Sequence, residues 1–166
     1  METPEVEIYL HAWLALASAQ VLERAVINSL VYTEIIPEQR ERPIPSDEWE
    51  KKYDVYVGEK YEKTLGLLIN ALKKLTPVPP ELERTLKDAL EKRNFLVHRF
   101  FRVHSDAVIG LAKNENALQQ LSEAQRVFQS AEKMLREFMR PAHERYAVTE
   151  PLRKYLESGY LEGFAK

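Results

Sequence analysis

No cysteine occurs among the 166 residues. Disulfides, thiolate metal sites and cysteine nucleophiles are excluded together, and with them a disulfide-stapled secreted domain. Glycine is scarce too: the five copies, at positions 58, 66, 110, 159 and 163, never cluster. No phosphate-cradling loop or dinucleotide fingerprint can be built from them, which removes kinases, P-loop enzymes and Rossmann dehydrogenases. A strong excess of either charge is also missing. Lys and Arg number 24 against 26 Asp and Glu, a net charge of −2, so any basic binding surface must be local. The first ten residues hold Glu2, Glu5 and Glu7 and no Lys or Arg, the reverse of the basic start of an export signal. The most apolar stretch, residues 6–32, is interrupted by His11, Gln20, Glu23 and Arg24 and reads as too polar for a bilayer span. A cytoplasmic protein without membrane attachment is expected.

What is present is the composition of one ordinary globular fold, 45% apolar and 30% charged, long enough to fill a single core. The chain reads as helices. Thr3 caps a first helix with Pro4 at its first position, and Leu10, Leu14, Ala17, Val21 and Ala25 trace an apolar stripe as far as Tyr32. Pro37, Pro43 and Pro45 then call for a loop. Asp47 and Glu50 form a capping box for a second helix, with the stripe Trp49, Tyr53, Val57, Tyr61, Leu65, Leu68, Leu72 and Leu75 and a bend at Gly58. A third helix is expected over residues 80–104 and, after a connector at 105–114, a fourth carrying Leu118, Leu121, Gln125, Phe128, Ala131, Leu135 and Phe138. Pro141 should end or kink it. The expected architecture is all-α, a four-to-five-helix up-and-down bundle over residues 1–147, with a tail at 148–166 holding a short helix near 151–156.

The third helix carries the chemistry. Its seam runs Leu82, Leu86, Ala89, Arg93, Leu96, Phe100, so Arg93 fills a slot where an apolar residue is expected. A guanidinium there needs a carboxylate, a phosphate or an open cleft. After Arg93, the residues Phe95, Leu96, Val97, Phe100, Phe101 and Val103 put apolar groups on nearly every side, as on a helix enclosed by neighbours or covered by a second subunit. From Lys92 to His104 there are Lys92, Arg93, Arg99 and Arg102, two histidines and no acid. Asn94 and His98, four apart, share a face. Arg can fork two phosphate oxygens, Asn can donate to the same group, and His can take and return a proton near neutrality. Together they suit a phosphodiester.

The run Arg93-Asn94-Phe95-Leu96-Val97-His98, within residues 89–102, resembles the R-x-x-x-x-H motif of the HEPN superfamily, whose members are helical bundles with the motif on a late core helix. The resemblance implies a metal-independent endoribonuclease that needs no cofactor and works as a homodimer. Such proteins serve toxin–antitoxin, abortive-infection or RNA-guided defence, and an antitoxin or regulatory protein is then an expected partner. Carried over, Arg93 would hold the scissile phosphate, Asn94 would orient it, and His98 would act as general base or acid, leaving a 2′,3′-cyclic phosphate. Lys92, Arg99 and Arg102 would track the RNA backbone, and Phe95 could offer a base a stacking face. HEPN toxins silenced by a nucleotidyltransferase often carry Tyr two residues after the His; here that residue is Phe100, which argues against that pairing.

Plainer readings stand beside these. Arg93 could pair with an acid such as Glu23, His98 could be a core histidine, Phe95, Phe100 and Phe101 could be simple packing, and Arg99 and Arg102 a solvated face. The bundle could bind RNA or regulate a partner without cutting. No metal site is expected: His143-Glu144 opens like a zincin motif, but Ala147 stands where the second histidine belongs.

Overall fold

A computed structural model of the chain, which describes residues 4–111 and 114–146, is helical throughout, with no strand among the described residues. Its helices are α1 (Pro4–Leu30), α2 (Ile36–Glu41), α3 (Ser46–Tyr61), α4 (Leu65–Leu75), α5 (Pro80–His98), α6 (Phe100–Val103), α7 (Ser105–Val108) and α8 (Glu115–Arg145). A π-helical turn, Val31–Ile35, joins α1 to α2. The Thr3 cap and the helix expected near 151–156 lie outside the described residues.

Two compact units are distinguished. The first is Met1–Leu22 with Pro79–Met134, the second Glu23–Val78 with Leu135–Lys166. In the first unit, α1 buries Ile8, Ala12, Ala15, Ala19 and Leu22, α5 buries Leu82, Leu86, Ala89 and Leu96, and α8 buries Ala117, Leu121, Ala124, Phe128 and Ala131. The α5 seam is the one expected, with Arg93 half-buried in its slot. The α1 stripe is not: Leu10 and Val21 are exposed, and the buried face is centred on three alanines. Since α1 is apolar on most sides, its pattern has little contrast, and the smallest side chains take the face that must come closest to its neighbours. This helix and its continuation, Val6–Glu41, have the length and apolar composition of a membrane span, contrary to the sequence reading. In the structure, 44% of the most apolar window is buried inside the fold.

The third helix is shorter than expected. It stops at His98, where Arg99 leaves helical geometry at φ −132°. Backbone bonds bridge the break, from Arg99 N–H to Phe95 O and from Val103 N–H to Arg99 O, both 2.9 Å. Phe100 anchors the turn: it is 1% exposed, edge-on to Phe95 and Phe101, with its ring centroid 4.8 Å from that of His104. After α7, Gly110 adopts φ 75°, and Leu111 N–H reaches back to Asp106 O at 2.8 Å. That closing turn needs a residue tolerant of the left-handed region.

In the second unit, the proline loop expected from Pro37 is absent, because the helix continues to Glu41 and only residues 42–45 form the loop. Proline has no N–H to give and its ring crowds the carbonyl four residues back. The π turn relieves this by widening: Ile36 N–H bonds Val31 O, five residues back, and Pro37 falls in the first turn of α2. The α3–α4 break falls at residues 62–64, rather than at Gly58, and the Thr64 hydroxyl accepts from Leu67 N–H at 3.4 Å. The expected Asp47 capping box is replaced by Pro45 at the N-cap, with no side-chain bond. Pro141 does not end α8, which continues to Arg145. Leu65, Leu68, Ile69 and Leu72 of α4, Val26, Ile27 and Leu30 of α1, the π-turn residues Val31, Tyr32 and Ile35, and Leu135 and Met139 of α8 form this unit's core.

Candidate functional site

The site expected from the sequence lies on the last turns of α5 and on α6, all in the first unit. Asn94 and His98 are one turn apart on α5, as their spacing requires, with Asn94 half-buried and His98 exposed. Arg93 is half-buried and engaged by a contact of its own. Five residues along a helix of 3.6 per turn rotate by about 140°, so Arg93 and His98 leave α5 in well-separated directions. One helix therefore presents Asn94 with His98, and His98 meets Arg93 only if that long side chain bends round.

The flanking cations differ. Lys92 crosses to Glu123 of α8, Nζ to Oε1 2.6 Å, and this bond and charge hold the Glu123 carboxyl below the usual carboxylate range. Arg99 and Arg102 are exposed. The other histidine of the segment has a different place: His104 is 8% exposed, with Nε2 3.1 Å from the Gln120 Oε1. It ties the α6–α7 segment to α8, which makes it a structural residue.

The apolar residues around the motif divide sharply. Leu96 and Phe100 are buried, Phe95 is half-buried, and Val97, Phe101 and Val103 are exposed. This end of the segment is therefore not enclosed by the chain's own neighbours. Phe101 does not simply pack inward; it stacks on Tyr9 of α1, ring centroids 5.8 Å apart and planes 26° apart. Tyr9 belongs to an exposed stripe of α1, Val6, Tyr9, Leu10 and Trp13, spaced three and four apart. Simple packing therefore does not describe Phe101, and no local pattern in the sequence singles out Tyr9 or Trp13. The signal available was that α1 is apolar on more faces than one core can cover.

Elsewhere in this unit an open groove of about 480 Å³ is lined by Arg84, Thr85, Asp88, Glu123, Arg126, Val127 and Ser130. Its lining balances two arginines with two carboxylates and includes none of Arg93, Asn94 or His98. In the second unit, the Tyr56 hydroxyl donates to the Glu34 carboxylate at 2.5 Å, with Lys60 Nζ 3.9 Å from the same oxygen. Burial, then that bond, raises the Tyr56 pKa. These contacts fasten α3 to the π turn. Among the described residues, no group of three or more His, Asp or Glu is placed to hold a metal ion.

No family model, curated protein or solved structure matches the chain. The functional reading therefore rests on the residues themselves.

Proposed function

We propose that the chain is a metal-independent endoribonuclease of HEPN type, a cytoplasmic homodimer acting in defence or stress response under a regulatory partner. The observation that carries this reading is an exposed His98 one turn from Asn94 on α5, beside exposed Arg99 and Arg102, in the middle of a run, residues 92–105, that holds four Lys or Arg and no acid. Arg93 and Asn94 hold the scissile phosphate. The ribose 2′-oxygen attacks phosphorus as a histidine takes its proton. The bond to the 5′-oxygen breaks, that oxygen receives a proton, and a 2′,3′-cyclic phosphate and a 5′-hydroxyl remain. One imidazole cannot be base and acid in the same step. A second copy supplies the other histidine, and its Arg93 answers the 140° divergence within one α5. Charge neutralisation by Arg93 and proton transfer by His98 account for the chemistry without a metal.

The half-buried, already engaged Arg93 favours a second reading, in which the surface binds RNA or a regulated protein without cutting it. Purified protein incubated with end-labelled RNA in excess EDTA separates the two. The ribonuclease reading predicts cleavage by wild type and none by His98→Ala. Salt-sensitive binding with no cleavage, weakened when Arg99 and Arg102 are neutralised, would select the binding module.

A further inference from the structure

Soluble proteins scatter exposed apolar residues singly; aromatic ones gathered on one face mark a binding surface. Tyr9, Trp13 and Phe101 are 54%, 57% and 41% exposed. With aromatic side chains offering roughly 150–250 Å² each, they leave on the order of 300 Å² of ring surface to solvent. Tyr9 and Phe101 already stand as a stacked pair. Trp13 follows one turn further along α1, about 6 Å of helix rise from Tyr9.

Charge selects the occupant. Phe101 lies between Arg99 and Arg102, three residues beyond His98, in the segment without a carboxylate. On α1, Glu7 leaves the helix about 200° round from Tyr9, and its Oε2 accepts from Asn114 Nδ2 at 3.3 Å; Glu5 stands one turn before Tyr9, at the end of the face away from Trp13. Flat apolar faces bordered by arginines suit a polyanion that also carries flat apolar faces. A single-stranded nucleic acid has that chemistry, whereas a duplex hides its base faces within its own stack.

We propose that the Tyr9–Phe101 pair, extended by Trp13, is a stacking platform for unpaired bases of RNA whose backbone passes Arg99, Arg102 and His98. The proposal rests on RNA being the ligand of the α5 site, and it names single-stranded RNA as the substrate class. Arg99 and Arg102 hold the phosphates, and the rings take the bases beside them without reading their edges. Selectivity is then for unpaired over paired RNA, with weak preference among bases.

Trp13 is also the reporter. The chain has two tryptophans, and Trp49 belongs to α3 in the other unit, so Trp49→Phe leaves Trp13 as the only one. The full-length Trp49→Phe protein, its helicity checked by circular dichroism, is titrated with a short 2′-O-methyl single strand, which has no free 2′-hydroxyl and cannot be cut. Saturable quenching of Trp13 is expected, with much weaker quenching by the same strand in a duplex. Tyr9→Leu and Phe101→Leu, which keep an apolar side chain and lose the ring, should each weaken binding roughly 5- to 100-fold, and Tyr9→Phe should restore it. An unresponsive Trp13, or Leu variants that bind as tightly as the parent, would overturn the platform. So would a Trp13 shift given only by phosphatidylglycerol vesicles, or one that follows protein concentration and dimer mass without oligonucleotide: a membrane or a second copy would then own the face. Cleavage of ordinary RNA by a protein whose Trp13 is not quenched removes the platform and leaves the ribonuclease standing. Quenching with no cleavage does the reverse.

Discussion

Replacing His104 by alanine should destabilise the protein severely, whereas His98→Ala should not. The His104 ring is buried against Phe100, with a bond to the Gln120 side chain at 3.1 Å. Losing that bond costs about 1 kcal/mol. Losing the ring leaves a void beside Phe95 and Phe100, worth about 1–2 kcal/mol more, since a histidine ring is smaller than the aromatic groups whose loss costs 3–5. A total of about 2–3 kcal/mol is expected, or roughly 5–10 °C in Tm for a chain of this size. Gln120→Ala alone leaves a buried ring nitrogen without its partner and should cost about 1–2 kcal/mol. The double variant should show a coupling of about 1 kcal/mol. His98→Ala, at an exposed position, should stay within about 0.5 kcal/mol of wild type. Urea unfolding followed by far-ultraviolet circular dichroism measures all four variants against wild type. A His104→Ala protein as stable as wild type, or a His98→Ala protein equally weakened, would refute the assignment of one histidine to structure and the other to the surface.

Phe128→Ala, which empties a fully buried site on α8, should cost about 3–5 kcal/mol in the same experiment, whereas Leu10→Ala on the exposed face of α1 should cost less than about 1. Burial, with a smaller contribution from Tyr53, raises the Tyr32 pKa to about 12. Its neutral form is thus favoured by the fold, so this contribution is intact below pH 10 and is lost as pH rises toward 12. After discounting for solvent, it amounts to about 1 kcal/mol, and Tyr32→Phe should flatten the alkaline limb of a stability–pH curve. The Glu123 carboxyl, lowered by its bond to Lys92, works the other way: the contribution of that surface pair is present above the ordinary carboxylate range and lost as pH falls through it. Lys92→Ala should change stability by less than about 0.5 kcal/mol, and RNA affinity less than Arg99→Ala or Arg102→Ala does, as filter binding at two salt concentrations would show.

How much was legible depended on contrast within each helix. The α5 seam is amphipathic, so the rhythm Leu82, Leu86, Ala89, Leu96, carried on by Phe100 of α6, identifies the buried face and marks Arg93 as the exception. The α1 face is not legible in this way, because Leu10 and Val21 outweigh Ala12, Ala15 and Ala19 in any apolar count, although close packing prefers the alanines. Proline alone does not mark a helix end here. At Pro37 a π turn supplies the room that a regular helix lacks, and at Pro141 the helix runs on through the residue. The motif residues fell on the expected helix, and Asn94 and His98 shared a face, because both follow from periodicity alone. What separates His98 from His104 is Gln120, a partner 16 positions away that no local pattern names. The Tyr9–Phe101 stack joins residues 92 positions apart and was equally out of reach.

In the proposed reaction His98 drives attack by the substrate's own 2′-hydroxyl. Its most direct measurement is the product ends formed from an end-labelled RNA in excess EDTA, compared with the same RNA carrying one 2′-deoxynucleotide at the cut position. Wild type should leave 2′,3′-cyclic phosphate ends, His98→Ala should leave none, and no cut should fall at the deoxy position. Cleavage that persists at the deoxy position, or in the His98→Ala protein, would contradict it.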